Sequence, residues 1–295
     1  MVKSLVSFKQ LTRKEIEFLL QKAYSYQKKP PGSILQGKIL ANLFFEPSTR
    51  TRLSFESAMK KMGGECIGIE GEERSSLSKG ETLSDTIAVV SRYADIIVIR
   101  HPEKGSAKLA ADASSVPVIN GGDGTNEHPT QTLLDLFTIW QTQKTLDHLH
   151  LVVAGDLKNG RTVHSLVLSL HFFNPTLYFV PIPGLEMPFE ICQFLREQGI
   201  KFSTHSTIEE VMPQADILYL TRVQKERNSI GAYSINKKTL ERAKPNLKVL
   251  HPLPRVDEID TEVDATPYAH YFDQAANGVV VRQALIVHLL EKCSC

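Results

Sequence analysis

The residue types best suited to chemistry cluster in Ser48-Thr49-Arg50-Thr51-Arg52. Three hydroxyls alternate there with two guanidinium groups. Pro47 keeps Glu46 out of helical geometry, so the run reads as a turn that opens a helix. A helix start leaves its first backbone N–H groups unpaired. Combined with fixed cations, such a turn makes a nest for a phosphate or another oxyanion. Serine or threonine before a helix is in most chains an ordinary cap. What lifts this segment is the interleaving of the arginines with the hydroxyls.

Further candidates lie where strands end or helices begin. Arg100, ahead of His101 and Pro102, closes an apolar run, and open α/β sheets bind ligands at the carboxyl ends of their strands. In Glu127-His128-Pro129-Thr130-Gln131, Pro129 suits the first helical position. His128 then stands just before a positive helix end, which keeps a histidine neutral and able to donate one hydrogen bond, and Gln131 falls in the first turn. Arg161 opens a helix after Gly155-Asp156-Leu157-Lys158-Asn159-Gly160 and could clamp a carboxylate. That glycine pattern lacks the G-x-G-x-x-G of a dinucleotide site, which counts against a nicotinamide oxidoreductase. Thr221-Arg222-Val223-Gln224-Lys225-Glu226-Arg227 ends another strand in dense charge. In His251-Pro252-Leu253-Pro254-Arg255 two prolines freeze the backbone, so the Leu253 and Pro254 carbonyls are fixed acceptors. Residues 70–80 are polar, glycine-bounded and aperiodic, the mark of a long loop of the kind that often carries function.

The elements that must position these residues are legible as an alternation. The spacing predicts a helix over 12–28, with Thr12 and Glu15 in capping-box register, broken by Pro30-Pro31-Gly32. The run 38–44 reads as a buried strand, and Phe55, Ala58, Met59 and Met62 mark the amphipathic helix behind it. Strands are expected at 66–69, 95–99, 116–119, 149–154, 177–180, 201–204, 217–220 and 248–250, with helices between most of them. Asn120-Gly121-Gly122-Asp123-Gly124 reads as a flexible turn, and 277–290 as a last helix. Residues 142–147 look like the hinge into a second half. Strand–helix alternation of this kind implies an α/β fold, with two doubly wound domains of mainly parallel sheet joined by helices.

Length and composition set the outer bounds. The chain has 295 residues, 42% of them hydrophobic and 23% charged, enough for two ordinary domains with ample core. A net charge of +1 argues against nucleic acid or a membrane surface as partner. No run approaches the ~18 apolar residues of a membrane span, and none reads as a secretory signal. Four cysteines make no disulfide framework at this length, and Cys66 and Cys192 read as reduced core thiols. Cys293-Ser294-Cys295 is too small a set for a metal site, so no metal is expected, and the cytoplasm is the simplest setting.

Ser48-Thr49-Arg50-Thr51-Arg52, followed some 80 residues later by His128-Pro129-Thr130-Gln131, resembles the carbamoyl phosphate motifs of the carbamoyltransferases. Arg222-Val223-Gln224 and His251-Pro252-Leu253-Pro254 continue the resemblance in order, over about 8–290. Ornithine enzymes of the family carry cysteine in the H-P-x-Q and H-C-L-P positions and a Ser-Met-Gly motif. Thr130, Leu253 and Arg222-Val223-Gln224 stand here instead, which resembles the aspartate branch. The resemblance implies a carbamoyl phosphate-binding domain over 1–132, completed by the helix 277–295, and an aspartate-binding domain over 145–276. It assigns Ser48, Thr49, Arg50, Thr51, Arg100, His128, Gln131, Leu253 and Pro254 to carbamoyl phosphate, with Arg50, Thr51, Arg100 and His128 catalytic. Lys79, Arg161, Arg222 and Gln224 go to L-aspartate, and Glu46 is implied as an ion-pair partner of Arg161 or Arg227. The implied chemistry needs no cofactor. The loop at 70–80, through Lys79 and either Ser75 or Ser76, implies a homotrimer with shared sites. Regulatory chains or dihydroorotase are admitted as further partners. A silent scaffold of the same family would have lost Arg50, Arg100 or His128, and all three are present.

Overall fold

A computed structural model describes residues 4–71, 73, 76–222 and 234–293, without the side chains of Ser76 and Cys293. Gln224, Arg227 and Ser75 therefore lie outside the described residues. The chain divides into two compact units, 1–134 with 276–295 and 135–275, each described by itself below. The division falls inside two helices, α5 (Pro129–Gln143) and α8 (Tyr271–Cys293), and so ahead of the hinge-like stretch 142–147.

The first unit is built on a parallel sheet of β1 (Ile39–Phe44), β2 (Glu65–Glu70), β3 (Ile96–His101) and β4 (Val118–Asp123), in the order β2-β1-β3-β4. β1, β3 and β4 are buried almost throughout, the pattern of strands covered on both faces. β2, at the sheet edge, is largely exposed. Helices α1 (Arg13–Lys28), α2 (Thr49–Lys60), α3 (Leu83–Val90) and α4 (Ser106–Ala113) complete the unit with the adjoining turns of α5 and α8. The capping box of α1 forms as its sequence predicts. Thr12 Oγ1 accepts from the Glu15 N–H, and the Glu15 carboxylate accepts from the Thr12 N–H at 3.0 Å.

Two readings of the sequence are corrected here. Asn120-Gly121-Gly122-Asp123 is not a flexible turn but the buried second half of β4. The Asn120 amide donates to the Val6 carbonyl and to Asp123 Oδ1, both at 2.9 Å, and its oxygen accepts from the Gly122 N–H at 2.7 Å. A Cβ on Gly121 would approach the Ile99 carbonyl oxygen to 3.2 Å, so glycine here serves close packing rather than mobility. The last helix also starts earlier than 277, at Tyr271, and runs through Gly278. A Cβ there would collide with the Arg282 guanidinium. Arg282 is itself pinned: it is buried, donates to Ser54 Oγ at 3.0 Å and Thr130 Oγ1 at 3.3 Å, and stacks on Phe55.

The second unit repeats the principle. Its parallel sheet has β5 (His150–Gly155), β6 (Thr176–Pro181), β7 (Lys201–Thr204), β8 (Ile217–Leu220) and β9 (Lys248–Leu250), in the order β7-β6-β5-β8-β9. One face packs Val152, Ala154, Val180, Leu218 and Val249 against Val211, Met212 and Val263. Helices α6 (Arg161–Ser169) and α7 (Phe189–Glu197) follow β5 and β6.

The turn after β9 is fastened by a buried pair. His251 Nδ1 accepts from the Leu253 N–H at 2.8 Å, which leaves the ring proton on Nε2, 3.1 Å from Glu258 Oε1. Glu258 Oε2 accepts from the Val256 and Asp257 N–H groups, each at 2.9 Å. Burial alone would raise the Glu258 carboxyl, but these bonds outweigh it and the net displacement is downward. Leu253 is held at φ 55°, a left-handed conformation costing a branched residue about 1–2 kcal/mol, so the bonds around it set the turn against its own preference.

Two outcomes are expected. Gly278→Ala should destabilise the protein by about 1–2 kcal/mol, because displacing a buried, bonded guanidinium outweighs the roughly 1 kcal/mol gained in helix propensity. A higher urea midpoint would contradict it. For Glu258, the folded-state carboxyl lies below its unfolded value. Its contribution is therefore full above the ordinary glutamate range and is lost as pH falls through the lowered value. Glu258→Gln should thus unfold more readily at neutral pH and show a shallower loss of stability on acidification, read from urea midpoints across pH. Parallel acid profiles for the two proteins would refute it.

Candidate active site

In each unit some of the candidate residues sit where the strand order reverses. β1 pairs with β2 on one side and β3 on the other, so the carboxyl ends of β1 and β3 diverge into loops on opposite sides. That crevice is where open α/β sheets take ligands. The β1 end continues into Phe45-Glu46-Pro47-Ser48 and α2, while the β3 end carries Arg100, tied to the first by a Phe45 N–H to Arg100 carbonyl bond of 2.9 Å.

Ser48 stands at the N-cap of α2 and makes no side-chain cap bond, so Thr49, Arg50 and Thr51 form a first helical turn whose amides carry no such cap. Residues two apart in a helix point about 200° apart, which separates the two arginines of the motif. Arg52 turns to Glu56 at 2.9 Å and to Glu70 at the end of β2. Arg50 is within electrostatic reach of Arg100. Partial burial first, and then the Arg100 charge, push the Arg50 guanidinium below its ordinary value. Arg100 is itself buried to all but 8% of its surface. Its Nη2 donates to Glu46 Oε1 at 2.8 Å and its Nη1 to the Gly121 carbonyl at 3.2 Å, while its buried Nε has no partner among the described residues. The end of β4, where its register with β3 shifts between Ile99 and His101, thus puts the Gly121 carbonyl under Arg100. Within this unit Glu46 is engaged with Arg100.

His128 precedes α5 as the spacing predicts. It is buried, with Nε2 3.4 Å from Thr51 Oγ1 and Nδ1 3.4 Å from Thr130 Oγ1. Thr51 is buried as well. Arg282, on α8, donates to the same Thr130 hydroxyl and backs this corner. Arg50, Thr51, Arg100 and His128 are therefore neighbours, drawn from three segments. Gln131 lies half-buried in the first turn of α5. Lys79 is exposed at the end of a short 3-10 turn, Ser76–Lys79, and makes no hydrogen bond or ion pair among the described residues.

In the second unit the strand order reverses between β5 and β8. Arg161 opens α6 after the β5 loop, which Asp156 shapes by accepting from the Lys158 and Asn159 N–H groups at 3.2 and 2.9 Å. A Cβ on Gly160 would lie 2.8 Å from the Asp156 carbonyl oxygen, so that turn closes only over glycine. Arg222 follows β8 and is exposed, beside Thr221, whose N–H bonds the Ala154 carbonyl at 3.1 Å. Leu253 and Pro254 lie half-buried and exposed, respectively, after β9. Sequence reasoning missed Gly121, Arg282 and the His251–Glu258 pair. An arginine in the apolar stretch of the last helix is the one signal that could have found any of them.

Residues 3–141 match the carbamoyl-P binding domain of the aspartate/ornithine carbamoyltransferases, and residues 147–289 match their Asp/Orn binding domain. The chain is similar to the aspartate carbamoyltransferase catalytic subunit of Chromobacterium violaceum, at 50% identity over 98% of each chain. It is 51% identical to that of Vibrio campbellii over 98% of this chain and 97% of the relative. Its structure is similar to the catalytic subunit of M. jannaschii aspartate transcarbamoylase, with a TM-score of 0.93, 46% identity and 99% of both chains covered. It is also similar to Trypanosoma cruzi aspartate transcarbamoylase in complex with carbamoyl phosphate and aspartate, with a TM-score of 0.89 and 36% identity over 96% and 94% of the two chains. With both halves matched in order and relatives half identical across nearly their whole length, the chain belongs to the aspartate/ornithine carbamoyltransferase family.

Proposed function

We propose that the chain transfers the carbamoyl group of carbamoyl phosphate to the amino group of L-aspartate, giving N-carbamoyl-L-aspartate and phosphate, a step of de novo pyrimidine biosynthesis. The observation that carries this reading is a buried Arg100 together with the Thr51–His128 pair, beside the uncapped start of α2 that carries Arg50. Cations, hydroxyls and unpaired helix-start amides in one place call for an anion, and the family, with a relative solved holding carbamoyl phosphate and aspartate, narrows which anion.

In this reading Ser48, Thr49, Arg50 and Thr51 hold the phosphate. Thr51, Arg100 and His128 donate to the carbonyl oxygen as it gains negative charge, and Gln131 with the Leu253 and Pro254 carbonyls orients the amide. Arg161, Arg222 and Gln224 hold the two carboxylates of aspartate, and Lys79 is supplied by a neighbouring chain of a homotrimer. The neutral amine attacks the carbonyl carbon, a C–N bond forms, and the C–O bond to phosphate breaks. The departing phosphate takes the amine proton, so no separate base is needed. Fixing two reactants in this way can supply up to roughly 7–11 kcal/mol of the barrier reduction. The cation set suits a dicarboxylate and would repel the side-chain ammonium of ornithine. A cytoplasmic setting fits the described residues, where no helix is long and apolar enough to cross a membrane.

Arg50→Ala should lower kcat/KM by at least about 10²–10³-fold, with circular dichroism and the unfolding midpoint little changed. Near-normal turnover by a folded variant would end the phosphate assignment. Offered aspartate and ornithine side by side with carbamoyl phosphate, the protein should carbamoylate aspartate. Ornithine turnover without aspartate turnover would reverse the choice of acceptor.

A further inference from the structure

Arg282 lies in the apolar stretch of α8, 152 residues along the chain from the Thr130 hydroxyl it reaches. It is buried to all but 2% of its surface. Its Nη1 donates to Ser54 Oγ at 3.0 Å and its Nη2 to Thr130 Oγ1 at 3.3 Å, while its Cζ stands 4.9 Å from the centre of the Phe55 ring. Gly278, one turn earlier, leaves room for it, since a Cβ there would strike Nη1. A guanidinium this deep is costly to keep, so what it holds in place matters.

The effect shows at Thr130, which has no exposed surface. Among the described residues its hydroxyl meets two nitrogens, Arg282 Nη2 and, at 3.4 Å, His128 Nδ1. A guanidinium can only donate, so it takes a lone pair of the hydroxyl oxygen. The hydroxyl proton then has one acceptor in reach, the Nδ1 lone pair. Were Nδ1 protonated instead, two N–H groups would converge on one oxygen, and a buried O–H would be left without an acceptor. The bonds therefore run one way, from Arg282 to Thr130 and from Thr130 to His128. A neutral imidazole carries a single ring hydrogen, and with Nδ1 accepting, that hydrogen stands on Nε2. Nε2 faces Thr51 Oγ1 at 3.4 Å, in the first turn of α2. We infer that Arg282, acting through Thr130, is a positioning residue that fixes His128 as its Nε2–H tautomer and aims that hydrogen to the side of Thr51. Its catalytic meaning rests on the functional reading above, in which this is the hydrogen offered to the carbonyl oxygen as charge develops there. The other tautomer would present a lone pair at the same place and repel that oxygen.

Long-range proton–nitrogen NMR spectra of the full chain, with the histidine ring nitrogens isotopically labelled, distinguish the two neutral tautomers without substrate. The wild type should show His128 as the Nε2–H form, assigned by the signals lost in His128→Asn. Thr130→Val keeps the shape and removes the hydroxyl, and Arg282→Met removes the charge and the donor. Each should bring in the Nδ1–H form. Both should lower kcat about tenfold, roughly the worth of one net hydrogen bond, while the KM of either substrate moves by less than about twofold. Ser54→Ala is the control: it removes the closer bond of Arg282, outside the path to His128, and should change neither readout. A merely structural role would lower the unfolding midpoint of the Thr130 and Arg282 variants and leave the His128 signals as in the wild type. A wild-type His128 in the Nδ1–H form, folded variants that keep the wild-type tautomer, or a changed tautomer with unchanged kcat would overturn the proposal. The tautomer is read without substrate, so a wild-type protein that failed to carbamoylate aspartate would defeat the functional reading alone.

Discussion

Arg50 and Arg100 carry like charges and stand close enough for one to depress the other. Holding them there is the constraint around which the first unit is organised. Repulsion has to be offset by the fold, and the offsetting contacts are visible. Arg100 is spread over Glu46, the Gly121 carbonyl and the end of β3, while Arg50 rides on the first turn of a helix that begins right after β1. Neither arrangement exists in an isolated segment. The parallel register of β1 with β3, Phe44 opposite Arg100, sets the two cations at one sheet end. Such preorganisation costs little when an oxyanion arrives, because the donors are already turned toward it.

The second unit is organised around a buried anion instead of crowded cations. Asp135 gathers donors from β8 and from the first turn of α8, while Glu258 gathers them from the turn after β9. In both cases a carboxylate out of water is tolerable because every oxygen is bonded. Rigidity follows from the same fact: each carboxylate permits one arrangement of its donors. A turn that keeps Leu253 in a left-handed conformation needs that kind of support.

Much of this was legible in the sequence. The strands β1, β3, β5 and β8 are mostly apolar runs, and the Thr12–Glu15 box announces α1 within a residue. The motif residues stand at strand ends and helix starts, where composition placed them. The rest was hidden for physical reasons. Asn120-Gly121-Gly122-Asp123 has the composition of a turn, and only the contacts of Asn120 and the closeness of the Ile99 carbonyl make it strand. Arg50 and Arg52 look equivalent in a motif, yet helical geometry sends one to Arg100 and the other to Glu56 and Glu70. Asp135 and Gln274 are 139 residues apart, and no local pattern connects them.

The sheet borders carry one more implication. Parallel sheets stacked with helices still end in strands whose outer N–H and C=O groups could recruit a foreign strand. Here β4 is overlain by a bridge from Leu5, and β9 by one from Ala269. β2 begins and ends on glutamate, with Arg52 clasping Glu70, and β7 starts on lysine. Each rim is thus either covered or charged, so a chain with nine parallel strands among its described residues offers little template for amyloid-like growth.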